Sequence, residues 1–237
     1  METETGKSSV DDLEHRPLGI RIDGVTLDAD LRVPPHARGV VIFAHGSGSS
    51  RQSPRNRFVA RELGRSSFAT LLLDLLTRDE EGVDAATGEL RFDIPFLADR
   101  RGAATDWVVT APGLRSLPVG YFGASTGAAA ALVAASHRRG EVRAIVSRGG
   151  RPDLAGDALR RVHCPVMLIV GAADPGVLEL NRDALVQLGG PRALELVPRA
   201  THLFEEPGAL EEVARLARGW FEQYLSSPGT VGSRDAW

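Results

Sequence analysis

"VGYFGASTGAAAALV", residues 119–133, places a single serine between glycines where one kind of sequence gives way to another. Up to Ala124 the chain is apolar and aromatic, as a buried strand requires. From Ser125 onward it is built from small residues and strong helix formers. A strand that passes into a helix through G-x-S-x-G, here Gly123, Ser125 and Gly127, must turn very sharply. The small flanking residues relieve the clash and hold the serine hydroxyl exposed at the carboxyl end of a sheet. The adjacent helix N-terminus favours negative charge at that point. A helix N-cap with small residues for close packing would use similar letters. The mid-chain strand–turn–helix context favours a nucleophile.

The flanking sequence repeats this alternation. "LGIRID" (18–23) and "VTLDADLRV" (25–33) predict an opening hairpin with its turn at Asp23-Gly24. Further strands are predicted at "GVVIFAHG" (39–46), "FATLLLDLL" (68–76), "VRAIVSRGG" (142–150), "PVMLIVGAA" (165–173) and "RALELVP" (192–198). Helices are predicted in 53–67, 92–111, 153–161, 177–189 and 208–225. Strands separated by helices imply parallel pairing through crossovers and a sheet covered on both faces. The expected fold is therefore α/β, with two starting strands followed by about six α/β units. One domain over 17–225 is expected, between loose polar ends at 1–16 and 226–237.

Composition limits the function classes. The formal net charge of −3 gives no field that would gather nucleic acid or an acidic membrane. Of 28 basic residues only Lys7 is lysine, a one-sided usage to which no function is attached. A single cysteine, Cys164, excludes an intramolecular disulfide and a cysteine metal cluster. The polar, acidic opening "METETGKSSVDDLEH" does not read as a signal peptide, and no run approaches a membrane span. A cytoplasmic protein acting on a small molecule is expected.

A serine nucleophile needs a neutral base. Six histidines are available. His15 lies in the N-terminal segment, His36 in a turn, His137 at the far end of the helix after Ser125, and His163 ahead of a strand on the wrong edge. His45 follows a strand on the correct edge, but its "AHGSG" setting suggests a backbone role. His202, in the loop "PRATHLFEEPG" after the last strand, is left as base; capping the helix that follows is its alternative use. The carboxylate that orients it is Asp174 in "GAADPGV", with Asp153 in "GGRPDL" as competitor and helix capping as the ordinary use of such an aspartate. An oxyanion would be met by the amide of Thr126 and by an amide of "AHGSGSS", with Ser47 as donor. The same loop lacks the lysine of a phosphate-binding G-x-x-x-x-G-K-[ST].

The motifs "FAHGSGSS", "GYFGASTGA", "VGAADPGV" and "ATHLF" together resemble the α/β-hydrolase superfamily, and within it the dienelactone-hydrolase-like group, over about residues 20–225. The resemblance implies a mostly parallel eight-stranded sheet and no cofactor or metal. Dienelactone hydrolases proper carry a cysteine nucleophile where this chain has Ser125, which points to a serine esterase. Hydrolysis of short-chain esters or related acyl compounds is expected, with a thioesterase, a peptidase or a non-catalytic binding module as alternatives. "SRGGRPDLAGDALRRVHC" leaves little room for a cap, and 77–94 could supply a small cover. Arg148 and Arg151 are expected in a solvated loop, with a carboxylate-bearing substrate as their alternative partner.

Overall fold

The structure, a computed structural model, describes residues 16–225. The segments 1–15 and 226–237, where loose ends are expected, lie outside the described residues. Strand β1 (Arg16–Ile22) starts within the expected N-terminal segment and turns into β2 (Val25–Arg32). Asp23 and Gly24 make that turn with φ of 45° and 85°, a pair of left-handed residues that suits a tight hairpin. There follow β3 (Gly39–Ala44), α1 (Pro54–Arg65), β4 (Phe68–Leu73), α2 (Arg78–Thr87), α3 (Ile94–Thr110), β5 (Val119–Ala124) and α4 (Thr126–His137). The chain continues through β6 (Val142–Arg148), β7 (Val166–Gly171), α5 (Pro175–Leu185), β8 (Arg192–Val197) and α6 (Ala209–Tyr224).

The eight strands form one sheet in the order β1-β2-β4-β3-β5-β6-β7-β8. β2 is antiparallel to both of its neighbours, and every pairing from β4 to β8 is parallel. Strands β3, β4, β5 and β7 are buried along their full length, as parallel strands roofed on both sides must be. Leu97, Ala104, Val108 and Leu132 of α3 and α4 cover one face. Val59, Leu63, Val213, Ala217 and Phe221 of α1 and α6 cover the other.

Two elements differ from the sequence reading. The expected helix at 153–161 is a run of 3-10 turns over Pro152–Arg161, broken by Gly156 at φ 51°. Residues 77–94 contain helix α2 and a 3-10 turn at Leu90–Phe92. Its start was written in the sequence as a capping box. Thr77 accepts from the Glu80 amide at 3.3 Å, and the Glu80 carboxylate accepts from the Thr77 amide at 2.8 Å.

Candidate active site

Ser125 stands between β5 and α4 with φ 50° and ψ −123°, a conformation that L-residues hold only when their surroundings impose it. The packing around the turn explains the glycines. A Cβ on Gly127 would lie 2.3 Å from the His45 carbonyl oxygen, and one on Gly123 would lie 2.5 Å from Ala128 Cα. The serine backbone is tied to the next strand. Its amide donates to Arg148 O at 3.3 Å, and its carbonyl accepts from the Arg151 amide at 3.1 Å.

His202 follows β8 and Asp174 follows β7, so both sit on the same edge of the sheet as Ser125. His202 Nδ1 lies 2.8 Å from Asp174 Oδ2. A carboxylate accepts there, so Nδ1 carries a proton, and in the neutral ring Nε2 is the open acceptor. The imidazole sits over Gly149, where a Cβ would fall 3.7 Å from its Cε1. Gly149 is also the residue after Arg148, to which Ser125 is bonded. The His202–Asp174 pair thus lies beside the end of β6 to which the Ser125 backbone is bonded. Asp174 performs its ordinary structural task as well, accepting from the Val177 amide at 3.4 Å as N-cap of α5. Asp153 turns to Arg151 instead, with contacts of 2.7–3.2 Å. The loop carrying His202 is held by Glu206, whose Oε1 accepts from the Thr201 amide at 3.1 Å and the Thr201 hydroxyl at 2.6 Å. Nothing in the sequence marked Glu206 for this task.

On the other side of Ser125, a Cβ on Gly46 would come within 2.9 Å of the serine Cβ. The loop after β3 thus presses directly on the elbow. His45 is buried and works on the backbone. Its Nε2 accepts from the Leu75 amide at 3.2 Å, and its Nδ1 donates to Gly46 O at 3.0 Å. Burial lowers its pKa, against the opposing pulls of the Gly46 carbonyl and Asp74. Ser47 does not leave its amide open. That N–H donates to Thr126 Oγ1 at 3.0 Å. The loop ends at Arg51, whose amide and guanidinium both donate to Asp74. Asp74 therefore organises this loop from the end of β4.

A cavity of about 500 Å³ lies between this loop and the 77–94 segment, lined among others by Ser47, Ser50, Leu76, Glu81, Arg91 and Thr126. The segment is thus one wall of the cavity. Arg91 pins it through Asp84, whose carboxylate accepts from the Arg91 Nε at 2.6 Å. Among the described residues, no three His, Cys, Asp or Glu side chains are grouped to hold a metal ion.

The model of the dienelactone hydrolase family matches residues 27–225. The chain belongs to the dienelactone hydrolase family. A dienelactone hydrolase from Anabaena variabilis is 54% identical, covers 90% of this chain and 98% of its own, and superposes with a TM-score of 0.88. Est1E from Butyrivibrio proteoclasticus shares the fold at 17% identity and a TM-score of 0.74, covering 87% of this chain and 98% of its own. Two Mycobacterium tuberculosis proteins that carry a provisional phosphoribosyl transferase name are 57% identical over 208 residues, which is 88% of this chain and 46% of theirs. The chain thus spans about half the length of the curated relatives it matches.

In this dienelactone hydrolase family member the two arginines beside the elbow part ways. Arg148 is buried, not solvated, and burial, with Arg55 adding repulsion, pushes its pKa down to about 10. Its guanidinium lies 5.9 Å from the ring centre of Phe204, in the His202 loop. β6 turns this side chain inward towards α1, which a sequence pattern of outward polar residues did not reveal. Arg151 is half-exposed and paired with Asp153. Cys164 lies ahead of β7, at the opposite end of the sheet from Ser125, and burial pushes its thiol up to about 12. No helix among the described residues is long and apolar enough to cross a membrane.

Proposed function

We propose that this chain is a serine hydrolase of carboxylic esters, working through an acyl-enzyme. The observation that carries the reading is the His202–Asp174 hydrogen bond of 2.8 Å beside a serine held at φ 50°. With Nδ1–H committed to Asp174, Nε2 is the atom that takes the Ser125 proton as Oγ attacks the acyl carbon. The negative charge that develops on the carbonyl oxygen faces the amide of Thr126 at the start of α4 and the loop bearing Ser47. His202 returns the proton to the departing alcohol. Water then repeats the attack, and the acid leaves.

The substrate we assign is a small ester or related acyl compound, handled without cofactor, nucleic acid or membrane, in a cytoplasmic setting suited to one reduced cysteine. The phosphoribosyl transferase name of the longer relatives is not carried over. The segment shared with them is the one that holds the elbow, the Asp174–His202 pair and the Ser47 loop. The deciding experiment is fluorophosphonate labelling with peptide mapping, followed by ester, thioester and peptide panels. Labelling at Ser125 and turnover of esters are expected. No labelling of folded protein would overturn the serine mechanism, and preference for thioesters or peptides would overturn the ester assignment.

A further inference from the structure

Resting on that serine-hydrolase reading, the hydrogen bonds around Thr126 identify a group the backbone-only account of the oxyanion site leaves out. Ser47 Oγ lies 3.4 Å from the Arg91 carbonyl oxygen, and a carbonyl can only accept. The Ser47 hydroxyl can place its proton on Arg91 O. Ser47 Oγ also lies 3.0 Å from Thr126 Oγ1, and with the Ser47 proton on Arg91 O the donor in that contact is Thr126. Thr126 Oγ1 in turn accepts the Ser47 amide at 3.0 Å. In that arrangement donation runs from the Ser47 amide to the Thr126 hydroxyl, to the Ser47 hydroxyl, to Arg91 O; in the reverse one the Ser47 hydroxyl donates to Thr126 Oγ1, and the Thr126 proton is free of Ser47 altogether.

Two consequences follow. The Ser47 amide points at Thr126 Oγ1 and cannot give full strength to a second acceptor without breaking that bond. The Thr126 hydroxyl proton, by contrast, is the mobile one. It needs only a rotation about Cβ–Oγ1 to leave Ser47 Oγ, with no heavy atom moving. Thr126 is 4% exposed and directly follows the nucleophile, so its hydroxyl sits in a nearly dry position where a donor is worth most.

We propose that the Thr126 hydroxyl is a side-chain donor to the oxyanion. It acts together with its own amide, while the Ser47 amide stands behind it and polarises it. No bond to Thr126 is made or broken. The hydroxyl keeps its proton and changes acceptor as charge builds on the substrate oxygen. A donor of this kind acts on the transition state more than on the bound ester, so its loss should fall on kcat.

The test is a pair of variants assayed with wild type on one neutral ester. Thr126→Val keeps the shape and removes the hydroxyl; kcat should fall by about a hundredfold with KM within about threefold. Thr126→Ser restores the donor and should recover most of the rate. Each variant is checked by its melting temperature and by fluorophosphonate reaction at Ser125. Wild-type kcat in Thr126→Val, or equal losses in Thr126→Val and Thr126→Ser, would overturn the proposal. If wild-type protein fails to label at Ser125, the serine reading itself is at fault.

Discussion

Ser125, His202 and Asp174 carry the sharpest consequences at the level of single residues. Ser125→Ala removes the attacking atom but not the turn, since alanine needs only the same Cα geometry. It should fold, melt near wild type, and lose at least about a thousandfold in ester hydrolysis. Asp174→Asn would let the side-chain amide donate towards Nδ1 and favour the wrong tautomer of His202, costing orders of magnitude in kcat with the fold retained. Asp153→Asn should cost little, because Asp153 is paired with Arg151 and not with the imidazole. A large loss in Asp153→Asn with little in Asp174→Asn would reverse the assignment. His45 gives a pH signature of stability. Its folded pKa lies below its ordinary value of 6.5, so below about that pH the unfolded chain takes up a proton the folded chain resists. Its contribution is complete above pH 6.5 and is lost as the solution is acidified. Denaturant titrations from pH 7.5 down to pH 5 should show that decline, with a shallower slope in His45→Gln. Equal slopes would refute it. For Cys164, burial keeps the thiol protonated well past neutrality, so iodoacetamide at pH 8 should leave activity intact.

Among elements, the elbow and the cavity wall respond differently to change. At the elbow, Gly127→Ala would drive a methyl to within 2.3 Å of the His45 carbonyl oxygen, backbone that cannot yield. A cost of about 1–3 kcal/mol in stability is expected together with loss of activity, since Ser125 would be displaced with its neighbour. Thr77→Ala removes the capping box of α2, worth about 1 kcal/mol. Because α2 buries little apart from Asp84, that loss should loosen the wall, raising KM while kcat is kept. Between β6 and β7 there is only the short Pro152–Arg161 run, so no cap encloses a long acyl chain. Short esters should therefore outrun long ones. Each further buried methylene would add about 0.8 kcal/mol if a covered tunnel existed, so a steep rise with length would contradict the open site. These elements also show what the sequence could and could not reveal. Period and length were enough for the eight strands, because parallel strands are apolar throughout and their turns are marked by glycine and proline. The elbow and the two loops after β7 and β8 could be picked out because each candidate residue sits at a strand end. Arg148 was not, since an arginine at a strand end carries no mark of which face it takes. The hydrogen bonds joining Ser47, Thr126 and Arg91 were also hidden, because they link residues 44 and 79 positions apart.

For the molecule as a whole, the sheet order decides where the chemistry can exist at all. Ser47 follows β3, Ser125 β5, Asp174 β7 and His202 β8, so the site draws on half the strands and ends with the outermost one. β8 pairs with β7 alone and lies at the edge, and it is also the last strand in sequence among the described residues. On the proposed serine mechanism, an emerging chain has its nucleophile long before its base, and turnover waits for β8 to dock. Turnover is in this sense a clock for the end of folding. During refolding, recovered activity should never run ahead of the burial of Trp220 on α6, which packs just after that strand. Stopped-flow tryptophan emission alongside a double-jump ester assay would measure the two in one experiment. Activity appearing before the emission change would mean that the base reaches Ser125 by some route other than the closed sheet.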